Sequence, residues 1–123
     1  MRHTVRLHGV IVGHSDLEHA DPSSGRASGV FRPGLGYELV QPVFQLFAQA
    51  VPRDKSKKDQ ALLDRYHQSR DALNLELQDD RGRIIKTSAI HIVDYSEDAG
   101  APPPELDVLI SDTNYWARRS GAN

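Results

Sequence analysis

From residue 3 to residue 13 the chain alternates in a two-residue period. Val5, Leu7, Gly9 and Ile11 fall to one side of an extended backbone, and Thr4, Arg6, His8, Val10 and Val12 to the other. This predicts a strand that is amphipathic at its start and apolar on both faces towards its end, as a buried central strand is. If extension continues, His8, His14, Asp16 and Glu18 project to one side and Ser15, Leu17 and His19 to the other. Residues 21–36 are broken by Asp21-Pro22, Ser23-Ser24-Gly25, Ser28-Gly29 and Pro33-Gly34, all turn-forming combinations. Residues 27–32 form a second strand, which gives an N-terminal hairpin with residues 20–26 as its loop.

The period then changes. After an extended stretch at 37–40, Val43, Phe44, Leu46, Phe47, Ala50 and Val51 follow helical spacing behind Pro42, which suits a first helical turn. A short helix over 42–50 is predicted, with one long edge strand through Phe47 as the alternative. Ser56 and Asp59 resemble a helix-opening cap, and Leu62, Leu63, Tyr66 and Leu73 make the apolar stripe of a longer helix running to about Ala72. Leu73, Leu75 and Leu77 then alternate with polar residues up to the Asp79-Asp80-Arg81-Gly82 turn, and the chain returns through Asp94. On the return Ile84, Ile90 and Ile92 share one face and Ile85, Ala89, His91 and Val93 the other, and adjacent Ile84 and Ile85 before a polar Lys86-Thr87-Ser88 suggest a bulge or burial on both faces. This C-terminal hairpin is the expected centre of the sheet.

Residues 96–104 lack a hydrophobic period and end in three prolines, so an extended linker is expected before a short strand at 106–110. The pattern describes an α+β fold: a mainly antiparallel sheet of four or five strands, built from an N-terminal and a C-terminal hairpin, with one short and one longer helix on one face. Residues 1–97 read as a single domain. Residues 98–123 read as a proline-rich linker and tail that docks on that domain or on a second subunit.

Composition narrows the function classes. The chain has 123 residues and no cysteine, enough for one core, and it excludes thiolate metal sites, iron–sulfur clusters and cysteine nucleophiles. A formal charge of −2 is too balanced to steer the whole molecule onto nucleic acid or an anionic membrane. Nucleic-acid binding would need a local patch such as Arg53, Lys55, Lys57 and Lys58, and ranks third among the readings. No run approaches the roughly 20 apolar residues of a membrane span, so a soluble, cytoplasmic protein is expected.

Metal-binding and proton-moving groups concentrate in residues 13–21, where His14, Asp16, Glu18, His19 and Asp21 follow an apolar run. His14-x-Asp16 with a distant histidine, His67 or more particularly His91, satisfies the two-histidine, one-carboxylate pattern of a divalent metal site. The competing reading is a solvated strand end. Ser15 lies between His14 and Asp16, but neighbours on a strand point to opposite faces and cannot relay a proton. Phe31, Tyr37, Tyr115 and Trp116 are of the types that anchor interfaces. The leading expectation is therefore a non-enzymatic binding or assembly module without a cofactor, homodimeric or bound to another protein. The alternative is a small metal-dependent protein centred on His14, Asp16 and His91.

Overall fold

The first alternating run does not stay extended. The computed structural model describes residues 1–120, and in it the run folds at His8-Gly9 into β1 (His3–Leu7) and β2 (Val10–Ser15). Leu7 pairs with Val10, and φ is 48° at His8 and 84° at Gly9. That is the two-residue turn whose twist matches its flanking strands, and glycine takes its second position without strain. The long strand predicted over 3–13 is thus a hairpin.

β3 (His19–Asp21) and β4 (Arg26–Val30) pair across a turn in which the Asp21 carboxylate accepts from the hydroxyls of Ser23 at 2.6 Å and Ser24 at 2.9 Å. The two-residue β5 (Arg32–Pro33) pairs with β2. Residues 37–40 are not extended. A 3-10 turn spans Leu35–Leu39 and turns Tyr37 inward, where its hydroxyl donates to Asp94 at 2.6 Å.

The helical period is met by α1 (Gln41–Ala50), with Pro42 in its first turn, and by α2 (Gln60–Leu73). The α2 cap is Asp59, whose carboxylate accepts from the Leu62 amide at 3.1 Å; Ser56 lies instead in a short 3-10 turn capped by Asp54. Asn74, with φ of 52°, ends the helix. β6 (Glu76–Gln78), β7 (Ile84–Ile85), β8 (Thr87–Val93), β9 (Glu105–Ile110) and α3 (Thr113–Ser120) complete the chain.

The fold is α+β and antiparallel throughout, but it carries two sheets in place of one. The first has the order β5-β2-β1-β6-β7 and the second β3-β4-β9-β8. The chain changes sheet between β7 and β8, so the predicted C-terminal hairpin pairs over only two positions. A bulge at Thr87/Ala89 follows, and it puts Ile85, Ile90 and Ile92 inside while Ile84 is outside. The composition change after Tyr95 is no boundary either. β9 lies between β4 and β8 and buries Leu106, Val108 and Ile110, because alternate residues of a central strand must face the core. Residues 121–123 of the expected tail lie outside the described residues.

Both sheets and all three helices contribute to one hydrophobic core. α1 and α2 pack on each other and on β8, whereas Tyr115 of α3 meets β1 at His3. No helix among the described residues is long and apolar enough to cross a membrane.

Candidate functional site

A cavity of about 340 Å³ lies where α3 meets the start of β1, the β2–β3 connection and the β6–β7 turn. α3 contributes Tyr115, Arg118 and Arg119, β1 contributes His3, the connection Asp16 and Glu18, and the turn Asp79 and Arg83. Although these side chains are mostly ionic, the wall is mainly apolar, since ring faces and aliphatic stems provide it and the charged heads form the rim.

Each segment has a local reason for its position. Asp112 accepts from the amides of Asn114 and Tyr115 and so starts α3, which turns Tyr115 inward. Asp79 accepts from the Arg81 and Arg83 amides, both at 2.9 Å, and pairs with the Arg83 guanidinium at 2.7 Å, which closes the β6–β7 turn. Between Asp16 and Glu18, Leu17 is fully buried and holds φ of 45°. A leucine there costs about 1–2 kcal/mol and persists only where its surroundings hold it. Ser15 Oγ accepts from the Leu17 amide at 3.1 Å, and Arg119 donates to the Leu17 carbonyl at 2.6 Å.

A buried chain of hydrogen bonds forms the inner wall. Arg119 Nη1 donates to the Tyr115 hydroxyl oxygen at 2.7 Å, and that hydroxyl lies 3.1 Å from His3 Nε2. Because Arg119 can only donate, the arrangement that satisfies Tyr115 has its hydroxyl donating to Nε2. The His3 hydrogen is then on Nδ1, a buried nitrogen with no hydrogen-bond partner among the described residues. His3 is 1% exposed. Burial first, and the Arg119 charge second, lower its pKa, so the ring is neutral at neutral pH.

The acidic groups here are already engaged. Burial alone would raise the Asp79 pKa, but the Arg83 amide and guanidinium and the Arg81 amide more than offset it, and the carboxyl stays ionised below its usual range. Asp16 is 3.3 Å from Arg32, and Glu18 accepts from the Val30 amide at 3.2 Å. Arg118, by contrast, forms no ion pair within 4.0 Å among the described residues and acts on Asp112 only through its field. The rim thus presents one arginine free to meet a ligand.

No protein-family model, curated protein or solved structure matches this chain.

The predicted site residues are dispersed. Asp16 and Tyr115 line the cavity, with Glu18 beside them. His14 does not: it lies on β2 next to the Thr4 hydroxyl at 3.1 Å, and burial, then Arg2, Arg32 and Arg6, lower its pKa. His91 is on β8 in the other sheet, hydrogen-bonded to Tyr66. His14, Asp16 and His91 therefore do not form a ligand set, and among the described residues no three His, Cys, Asp or Glu converge as a metal site. Phe31, Tyr37 and Tyr115 are core residues rather than exposed anchors, because each ring packs against neighbours of its own chain. Trp116 is half-buried, donates to the Ile110 carbonyl at 2.9 Å and sits edge-on to Tyr115 at 5.2 Å. Of the basic patch, the Lys55 side chain lies outside the described residues.

His3 and Leu17 are not among the residues that the sequence singles out, whereas Arg118 and Arg119 belong to the tail whose aromatic and arginine residues are of interface-anchoring types. His3 shares the parity of Val5 and Leu7, which marks it as a polar residue on the apolar side of its strand. A left-handed Leu17 has no signature in sequence.

Proposed function

We propose that this protein is a small non-enzymatic binding module, soluble and cytoplasmic, that holds a compact organic ligand in the cavity beside α3. The observation that carries this reading is a mainly apolar cavity whose inner wall is fixed by the Arg119–Tyr115–His3 chain. The occupant that fits has an apolar body and one acceptor head, a carbonyl or carboxylate, which Arg118 at the rim favours when it is charged.

Trp116 is the only tryptophan in the sequence and touches the cavity wall through Tyr115, so its fluorescence reports occupancy. Titration with benzoate, hexanoate and the matching amides is expected to give saturable changes. Arg118→Glu should weaken the carboxylates about tenfold and leave the amides within about twofold, since the reversal acts on charge alone. No saturable change with any of these probes, or equal losses for acids and amides, removes the reading.

Self-association rests on a separate observation. Leu35 is 100% exposed and Leu39 64%, on the 3-10 turn that packs beside the exposed Val10 and Ile11 of β2. A grouped apolar patch of this kind is what a homodimer covers. Sedimentation at high micromolar concentration is expected to show a dimer that Leu35→Glu converts to monomer; a monomeric parent chain would sink this second reading.

A further inference from the structure

The second sheet carries another depression, of about 310 Å³, that shares no lining residue with the cavity beside α3. Its floor is the outer face of that sheet. His91 and Asp107 are paired across β8 and β9, and Arg26 is paired with Leu109 across β4 and β9. Their neighbours Ala27, Ile90, Ile92, Leu106 and Val108 are buried on the inner face, so the alternation of three strands brings these polar side chains to the outer one. The wall comes from Phe47 of α1 and from Tyr66 and Arg70 of α2, which share a helix face at i and i+4.

The hydrogen-bond inventory leaves donors here and no free carboxylate. Arg26 grips both oxygens of Asp107 through Nε, at 2.8 Å, and Nη2. Arg70 holds Asp71 through Nε at 3.2 Å and Nη2 at 3.0 Å, with its guanidinium 5.5 Å over the Tyr66 ring. The Arg70 guanidinium also reaches the Tyr66 hydroxyl, whereas Nη1 of Arg26 makes no hydrogen bond among the described residues. Tyr66 is fully buried and meets His91 Nδ1 through its hydroxyl. Burial lowers the His91 pKa to about 4 and raises that of the Tyr66 phenol, so both are neutral at neutral pH, and because the hydroxyl oxygen accepts from Arg70, the arrangement that satisfies it has the hydroxyl donating to Nδ1. The His91 hydrogen is then on Nε2. Of the charges that face it, Asp107 favours a proton on the ring, and Arg70 and Arg26 oppose one.

We propose that this depression binds a small organic oxyanion, a carboxylate or a phosphate monoester, whose charged end meets Arg26, Arg70 and His91 and whose apolar part lies against Phe47 and Leu109. Three donors held on rigid elements beside two apolar side chains suit such a ligand, and the Tyr66–His91 contact fixes the imidazole that faces it. The proposal is independent of the cavity beside α3.

The test follows histidine ring nitrogens by NMR in the full chain during titration with benzoate, phenyl phosphate and inorganic phosphate. The expected result is saturable movement of the His91 signals with benzoate, with phenyl phosphate or with both, and this movement persists in Arg118→Glu, which weakens carboxylates only in the cavity beside α3. A bound anion should also raise the pH at which His91 protonates, because it offsets the neighbouring arginines. Arg70→Gln should weaken binding roughly tenfold, and it is a safe variant because its ion-pair partner Asp71 is exposed. Preference between the two organic probes identifies the head group. The proposal is overturned if His91 does not move, if the movement survives unchanged in Arg70→Gln, or if inorganic phosphate binds as well as both organic probes, which would leave Phe47 and Leu109 without a role.

Discussion

Gly13→Ala is expected to lower stability by about 3 kcal/mol, the upper end of the usual cost of overpacking a core. A Cβ at this position would lie 2.6 Å from the Arg32 carbonyl oxygen and 2.5 Å from Phe31 Cε1, with Cζ nearer still. Neither neighbour has room to retreat. The Arg32 carbonyl belongs to β5, which is paired with β2 at Gly13 and His14, and a shift would break that pairing. Phe31 is 1% exposed, edge-on to Tyr37 at 5.3 Å, and its amide donates to the Pro104 carbonyl at 2.9 Å. Phe31→Leu shortens the ring side of the clash and leaves the carbonyl side. The double variant should therefore be more stable than the sum of the two single losses predicts, yet less stable than the parent chain. Equilibrium urea unfolding of the four proteins measures this. A Gly13→Ala chain within about 0.5 kcal/mol of the parent, the range of innocuous surface changes, would show that the ring does not lie over this glycine.

The same pair of residues shows which parts of the fold can be read from the sequence. The α2 stripe and the β6–β7 turn, with Gly82 at φ of 77°, are legible, and Pro42 at a first turn favours α1 over its edge-strand alternative, whereas the α2 cap is expected at Ser56 and lies at Asp59. α3 is not legible as a helix, because the short polar segment around Tyr115 and Trp116 has little period, although Asp112 caps it. The His8-Gly9 turn was hidden because apolar residues on both sides of it continue the same alternation. The sheet change at β7–β8 was hidden because pattern assigns faces and leaves partners open.

Aromatic type gave no side to Phe31, Tyr37 or Tyr115. Each is as suited to a core as to an interface, and only the glycine beneath Phe31 or the Asp94 carboxylate at the Tyr37 hydroxyl decides between them. Of the cluster at 13–21, two carboxylates line the cavity beside α3. Asp16 and Glu18 meet at the cavity because Leu17 bends the chain between them, and the partners that hold this bend, Ser15 and Arg119, are 104 positions apart by number (119 − 15).

Acidification from pH 6.5 to about 4 is expected to remove about 3 kcal/mol of stability through His91 alone, since its pKa falls from 6.5 to about 4 on folding and each pKa unit is worth about 1.4 kcal/mol. The sign follows from which state takes up the proton. Burial keeps the folded imidazole neutral, with Arg70, His67 and Arg26 adding to that effect and Asp107 opposing it. Below pH 6.5 the unfolded chain binds a proton that the folded chain refuses, so stability falls with pH until the folded ring protonates as well, near 4. His3 and His14, both lowered by burial first, pull in the same direction. Asp79 and Asp94 also sit below their ordinary range, but their contribution is lost at lower pH, beneath 3.8, and so falls in a separate window. His91→Gln isolates the histidine, because a glutamine carbonyl can still accept from the Tyr66 hydroxyl. Unfolding measured across the window should show the pH slope reduced by about half or more, with the remainder due to His3 and His14. An unchanged slope would place His91 outside the buried environment that Tyr66, Phe44 and Phe47 give it. Protonation makes Nδ1 a donor, and the Tyr66 hydroxyl oxygen can accept from it once its own hydrogen rotates away, so the contact reverses its direction.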